Sequence, residues 1–246
     1  MGIYIGMYLN PHRITQAKWE AVYEEALLLA KKLGLHDGIV DQDSTARELD
    51  LGDGTIGFYI HRMGTKIQSR VETICIRRNL NYYLEQAGPD GESDILFAPL
   101  SGIMEGAGFD CRSGTVTVFW SKTLNREIHI AILALACLFA DRLPDAVALG
   151  CDIDLNQCQE AVELANHYLE NRIETPVVCR VGKLMEHLAA LDIPREKQLC
   201  VFMDLYLGEI SEKVREHLMR SFPAEEIERH CRHREPRSNQ IFLHVV

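Results

Sequence analysis

The fold is decided between residues 125 and 172, where the sequence is NREIHIAILALACLFADRLPDAVALGCDIDLNQCQEAVELANHYLENR. From residue 126 to residue 142, apolar positions cover most of a helix circumference and charges stand only at the ends, which predicts a buried helix. Pro144 ends this helix, because proline lacks the backbone N–H that the next turn needs. The apolar run 146–150 then has the length of a strand that is covered on both faces, as strands of parallel sheets are.

The residues after this strand open a second helix and form a candidate site. Asp154 precedes a helical pattern, and Gln157 stands three positions later, so the pair resembles a capping box. Asp152 has no structural role in this pattern, which makes it the better candidate for a ligand contact. Both residues follow the carboxyl end of the strand, where ligands bind in open α/β sheets. We therefore predict Asp152 and Asp154 as ligand-binding residues.

The rest of the chain alternates between strand and helix patterns. Thr15 precedes a strongly amphipathic helix that Gly34 closes, because glycine readily takes the left-handed conformation after a helix. For residues 67–84 two interpretations stay open, a helix or a strand followed by a helix. Further strands are expected at 3–9, 56–63, 95–100, 115–120, 176–181 and 241–246. Further helices are expected at 182–191, 195–207, 211–220 and 224–232.

These elements predict an α/β protein with a mixed sheet, flanking helices and a mostly helical C-terminal section. The sheet is built from the strands that begin at Ile3, Ile56, Thr115 and Ala146. We place the α/β domain at residues 1–181 and the helical section at residues 182–246, which could pack on the first part as one domain.

Composition limits the classes of partner. The 246 residues are 47% hydrophobic and 25% charged, as in globular proteins with a sizeable core. The 36 acidic and 26 basic residues give a formal net charge of -10. Surfaces that bind nucleic acid or anionic membrane need clustered Lys and Arg, so we expect neither partner. The helix at 126–142 is short for a membrane span and contains His129. A basic protein partner fits the charge better.

The cysteines indicate a reducing compartment. Eight of them are widely spaced, without any CxxC pair, and several stand in apolar runs where cysteine acts as a small hydrophobe. Disulfide scaffolds belong to short secreted chains, so we expect reduced thiols and a cytosolic protein. The N-terminal residues agree with this expectation, since they have neither the basic stretch nor the cleavage site of a secretory signal.

Weaker motifs are better explained without chemistry. The stretch Asp41-Gln42-Asp43-Ser44-Thr45 resembles the DxDxT pattern of haloacid-dehalogenase-type phosphatases, but it lacks a full preceding strand and Ser44 replaces the usual glycine. We interpret it as a solvated loop in which Asp43 caps a short helix. The run His230-Cys231-Arg232-His233 offers metal-capable side chains, but a closed zinc site needs a second pair of ligands. The glycines at 102, 106 and 108 are interpreted as a flexible loop.

These observations favour a non-enzymatic binding or regulatory protein of the cytosol. Its specific form would be an acidic inhibitor or immunity-type protein for a basic partner. The alternative is a metal-dependent hydrolase that uses carboxylates at the end of the Ala146 strand. We expect no cofactor and no resident metal in the favoured case.

Overall fold

The computed structural model describes residues 3–35, 45–51, 55–60, 73–88, 93–100, 114–123 and 126–233. The predicted α/β class, with helices beside sheet and a helical C-terminal section, is confirmed. The strands are β1 (Ile3–Leu9), β2 (Glu48–Asp50), β3 (Ile56–Ile60), β4 (Ile74–Arg77), β5 (Val116–Thr123) and β6 (Val147–Cys151). The helices are α1 (Gln16–Lys32), α2 (Leu80–Ala87), α3 (Arg126–Arg142), α4 (Leu155–Asn166), α5 (Val181–Ala190), α6 (Arg195–Leu205), α7 (Glu212–Leu218) and α8 (Ala224–His233). Short 3-10 helices cover Pro11–Arg13, Ile95–Leu100 and Val177–Cys179.

The first sheet has β1 in the middle, with β5 on one side and β6 on the other, and both pairings are antiparallel. Side chains alternate along β1, so that Ile5, Met7 and Leu9 are fully buried on one face. This inner face packs against α3. The outer face of β1 carries Tyr4 and Tyr8, which are half-buried.

The second sheet has the order β2, β3, β4 and is also antiparallel. Helix α1 ties it to the rest of the molecule, because the Trp19 indole donates a hydrogen bond to the Arg77 carbonyl at 3.0 Å. Arg78 binds Glu20 on α1 at 2.6 Å and Glu48 on β2 at 3.0 Å. The strands at Ile3, Ile56, Thr115 and Ala146 thus lie in two antiparallel sheets rather than in one mixed sheet.

The residues of β6 are apolar for a different reason from the predicted one, which was a place in a parallel sheet. Val147 to Gly150 are buried although the strand is antiparallel to β1, because each face has a cover. Helix α3 lies on the inner face and the 3-10 helix Ile95–Leu100 lies on the outer face. A Cβ atom on residue 150 would stand 2.5 Å from Pro99 Cβ, so only glycine allows Pro99 to approach so closely.

Local helix signals predicted the helices well. Thr15 caps α1 by accepting a hydrogen bond from Lys18 N, and Gly34 has a left-handed φ of 66°. Helix α3 begins and ends at the predicted residues, and its middle is buried on all sides. Of the two interpretations of residues 67–84, the strand followed by a helix is correct for the described part, where β4 precedes α2.

Two strand predictions are wrong. Residues 95–100 form a 3-10 helix, because Asp94 accepts a hydrogen bond from Leu96 N at 3.0 Å and Pro99 cannot donate to a ladder. Residues 177–179 form a 3-10 turn in which Cys179 N donates to Pro176 O at 2.8 Å. The predicted strand at 241–246 lies outside the described residues.

None of the described helices is long and apolar enough to cross a membrane.

Candidate functional site

The two predicted site residues make structural hydrogen bonds at the end of β6. Asp152 Oδ2 accepts a hydrogen bond from Tyr4 N at 3.1 Å, and Asp152 N donates to Tyr4 O at 3.0 Å. The expectation that Asp152 has no structural role is therefore wrong, since this residue extends the pairing of β1 with β6. Its contact with a ligand stays a prediction.

Asp154 forms the capping box that the sequence indicates. Its Oδ1 accepts from Gln157 N at 2.8 Å, while Gln157 Oε1 accepts from Asp154 N at 3.0 Å. Asp154 is exposed and Asp152 is half-buried, and Asp152 Oδ1 and Asp154 Oδ2 take no part in the bonds named above.

The residue between β6 and these acids has an unusual backbone. Cys151 has a φ of 80°, in the left-handed region that non-glycine residues rarely adopt. Its backbone pairs with Ile5, which faces inward, yet its sulfur lies on the outer face. There the Trp120 indole N–H donates to Sγ at 2.8 Å, and Tyr8 Oη lies 3.9 Å away. The left-handed φ therefore turns this thiol to the outer face.

Gly6 makes room for this thiol, because a Cβ atom on residue 6 would lie 2.9 Å from the Cys151 sulfur. Burial raises the pKa of Cys151 to about 11, although hydrogen bonds from Trp120 and Tyr8 act against this rise. The thiol is therefore neutral near pH 7 and is a poor nucleophile at rest. Sequence reasoning missed Cys151; the available signal was a cysteine next to glycine at the end of a strand.

An aromatic surface lies beside the thiol. The rings of Tyr4 and Trp120 stack with centroids 4.6 Å apart and planes 15° apart, and Trp120 remains 49% exposed. Lys122 Nζ lies 5.7 Å from the Tyr4 ring centroid, so the aromatic surface already attracts one cation. We call Tyr4, Trp120, Lys122, Cys151 and Asp152 the β6-end patch.

The sequence next to this patch is acidic. Residues 151–175 contain six acids and one base, Arg172. The acids Asp154, Glu160, Glu163, Glu170 and Glu174 are exposed. On α4, Glu160 and Glu163 stand three residues apart, a spacing that places them on one face of a helix. In the sequence, the β6-end patch is therefore followed by a segment of net negative charge.

A buried histidine lies near this end of the first sheet. His129 is almost completely buried, and its Nδ1 lies 2.7 Å from Thr123 Oγ1. Thr123 donates its hydroxyl proton to Ile3 O at 3.0 Å, so it can only accept from His129, whose Nδ1 must carry the proton. Burial lowers the pKa of His129, which favours the neutral ring.

The residues that the structure describes add little support to the metal and phosphatase hypotheses. Among the residues that the structure describes, no group of three or more His, Cys, Asp or Glu side chains is arranged to hold a metal ion. His230 Nδ1 lies 3.0 Å from Glu226 O, one turn earlier in α8. Asp41, Asp43 and the glycines at 102–108 lie outside the described residues.

Comparisons of the chain with protein-family models, with curated proteins and with solved structures find no match.

Proposed function

We propose that this chain is a non-enzymatic binding protein of the cytosol that takes a basic protein partner at the β6-end patch and the acidic face of α4. An acidic inhibitor or immunity-type protein is the specific form of this proposal. The single observation that carries it is the exposed Tyr4–Trp120 stack next to the carboxylate of Asp152.

Aromatic rings and carboxylates together suit the side chains of Arg and Lys. A guanidinium group can lie flat on an exposed indole while its N–H groups bind a carboxylate, and each exposed cation–π contact contributes about 0.5–1 kcal/mol. The contact between Lys122 and Tyr4 shows the same attraction within the chain. A partner with several basic side chains would use Trp120 as its central contact and Glu160 and Glu163 at the rim.

The state of the thiol favours binding over covalent catalysis at this patch. Cys151 is protonated near pH 7, and its hydrogen bonds with Trp120 and Tyr8 hold it in place. Its sulfur supports the orientation of the exposed indole, because the Trp120 N–H is directed toward it. The patch is thus a rigid aromatic surface with an acidic border.

Binding of a fluorescent poly-arginine peptide tests the proposal. At about 0.05 M salt, where charges are weakly screened, the wild-type chain should bind the peptide, and Trp120→Ala should weaken binding by about two- to fivefold, which corresponds to the loss of about 0.5–1 kcal/mol. Met219→Ala is the matched control, because it removes another exposed large apolar side chain, from the C-terminal section. We expect this control to leave binding unchanged.

Charge variants make the second comparison. Glu160→Gln with Glu163→Gln should weaken peptide binding and reduce its salt dependence, whereas Glu212→Gln with Glu216→Gln changes the net charge equally at exposed positions of α7. Equal losses in both double variants, or wild-type affinity in Trp120→Ala, would contradict a partner site at the patch.

Metal binding tests the hydrolase alternative. Micromolar binding of Mg²⁺ or Mn²⁺ by calorimetry, lost in Asp152→Asn, would favour that alternative instead.

A further inference from the structure

The second half of α1 has a sequence that is symmetric about one leucine. Residues 24–32 read EEALLLAKK, so each residue before Leu28 is matched by one at the same distance after it. Leucine is matched with leucine, alanine with alanine, and each glutamate with a lysine. Leu28 is 52% exposed, whereas Leu27 and Leu29 on either side of it are buried. The midpoint of the symmetric stretch is therefore the leucine that faces solvent.

The charged residues of this stretch are too far apart to pair with one another inside the helix. The acids and the bases stand six to eight residues apart, which is at least about 9 Å along the axis. Ion pairs within a helix instead join residues three or four positions apart. Glu24, Leu28 and Lys32 follow a spacing of four and lie along one exposed face of α1. Lysines suit the C-terminal end of a helix dipole, but the dipole does not account for acids at the same distance on the other side of an exposed leucine.

Glu24 and Lys32 can each accept a further partner. Glu24 Oε1 lies 2.7 Å from Arg78 Nη2, but the Glu24 side chain is 50% exposed. Lys32 Nζ donates a hydrogen bond to a backbone carbonyl at 3.0 Å, and an ammonium group has three donors. Glu25, by contrast, binds Arg142 through both carboxylate oxygens, at 3.0 and 3.1 Å. An ion pair with another molecule would therefore use Glu24 rather than Glu25.

A groove beside Leu28 provides a recess for an apolar side chain. It has a volume of about 550 Å³ and lies between the second half of α1 and the segment 168–171. That segment is fixed, because the carbonyls of Tyr168 and Asn171 accept hydrogen bonds from side chains of α1 and α3, at 3.0 and 2.6 Å. The walls of the groove are thus in place before a partner arrives, so that little conformational entropy is lost on binding.

We propose that α1 is the contact helix of a symmetric dimer, in which its exposed face packs antiparallel on the same face of a second copy of this chain. A two-fold axis at Leu28 places Leu28 of each copy against its equivalent and beside the groove. The same axis places Glu24 of one copy opposite Lys32 of the other, because each stands four positions from Leu28, about 6 Å along the helix. Both ion pairs form at once, so the surface is complementary to itself. This dimer is independent of a partner at the β6-end patch.

Sedimentation velocity on the whole chain, over a range of protein concentrations, tests for the dimer. At about 0.1 M salt we expect a monomer–dimer equilibrium with a dissociation constant below about 100 µM. Leu28→Glu should raise this constant by about tenfold or more, because it brings two like charges together at the axis. Met219→Glu is the matched control, since it adds the same charge at another exposed large apolar side chain. It should leave the constant unchanged.

Charge exchange tests the antiparallel register. Glu24→Lys and Lys32→Glu should each weaken the dimer, because each places like charges opposite one another. The double variant should dimerise nearly as well as the wild-type chain. A mixture of the two single variants should form a heterodimer, because one chain then has two bases on this face and the other has two acids. Circular dichroism of each variant checks that the helix content is unchanged.

Three outcomes would contradict the dimer or its surface. A wild-type chain that stays monomeric up to about 100 µM would overturn the dimer. Equal dimerisation of the wild-type chain and Leu28→Glu would overturn α1 as the contact helix. A wild-type dimer that neither the double variant nor the mixture reproduces would overturn the pairing of Glu24 with Lys32.

Discussion

His187 and His129 differ in the neighbours that set their pKa values; His187 is half-buried and His129 is buried. His187 Nε2 lies 2.9 Å from Asp94 Oδ2, and this hydrogen bond raises the pKa of His187 above its usual value. His129 has a hydroxyl group rather than a carboxylate at its Nδ1, and burial lowers its pKa. The first histidine is therefore a charged link at mildly acidic pH, whereas the second is a neutral member of the core.

The link between His187 and Asp94 should give a pH-dependent share of the free energy of unfolding. A raised folded pKa stabilises the protein fully below the unfolded pKa of about 6.5, and this share is lost as pH rises through the folded pKa. We expect His187→Gln to lower the free energy of unfolding by about 1 kcal/mol more at pH 6 than at pH 9. Denaturant titration at both values is the measurement, with His167→Gln, at an exposed histidine, as the control.

His129 should act in the opposite direction in the same titrations. Its folded pKa is depressed, so the unfolded chain takes up a proton below about pH 6.5 while the folded chain does not. The wild-type free energy of unfolding should therefore contain a part that falls as pH falls below this value.

For the link between His187 and Asp94, a larger effect of His187→Gln at pH 9 than at pH 6 would contradict the assignment of a charged link.

At the level of one element, the capping box explains where α4 begins. Asp154→Ala should lower the free energy of unfolding by about 0.5–2 kcal/mol, because Gln157 N loses its acceptor. Gln157→Ala should have a smaller effect, and the double variant should cost less than the sum, since each residue completes the same box. Glu160→Ala, on the exposed face of α4, is the matched control. Strictly additive losses in denaturant titration would argue against a shared box.

The capping box is an example of a feature that could be predicted from the sequence. The bonds between Asp154 and Gln157 span three residues, so a pattern in the sequence contains both partners. The same holds for the limits of α3, which depend on an apolar run and on Pro144. Local rules of this kind gave the helices and the α/β class.

The features that the sequence did not predict depend on contacts between residues that are far apart in the chain. Asp152 binds Tyr4, which is 148 residues away, and Cys151 meets Trp120, which is 31 residues away. The periodicity of apolar residues does not indicate such partners, so neither the structural role of Asp152 nor the orientation of the Cys151 thiol could be predicted. The division of the strands into two sheets has the same origin, because apolar β6 is covered by α3 and Pro99 rather than by the helices of a parallel sheet.

On the scale of the whole molecule, the buried residues of both sections belong to one hydrophobic core. Leu155 N, at the start of α4, donates to Leu207 O at 3.3 Å, and Leu207 N returns to Val178 O at 3.0 Å. His187 on α5 binds Asp94 beside the 3-10 helix that covers β6. These links cross the boundary predicted between residues 181 and 182, so we expect residues 1–181 and the described C-terminal helices to unfold together.

Phe202 provides the test of this cooperativity, because it is fully buried on α6 and belongs to the C-terminal section. Phe202→Ala should lower the free energy of unfolding by about 3–5 kcal/mol, and Leu135→Ala on α3 by about 2–5 kcal/mol, through lost burial and a cavity. Both tryptophans lie in residues 1–181, so their fluorescence reports that part, while far-ultraviolet circular dichroism reports the helices of both. If the core is continuous, Phe202→Ala shifts the two signals together to lower denaturant, and Met219→Ala, at an exposed site, shifts neither by more than about 0.5 kcal/mol. Loss of part of the dichroism in Phe202→Ala at a lower denaturant concentration, with tryptophan fluorescence unchanged, would instead show that residues 182–246 unfold as a separate unit.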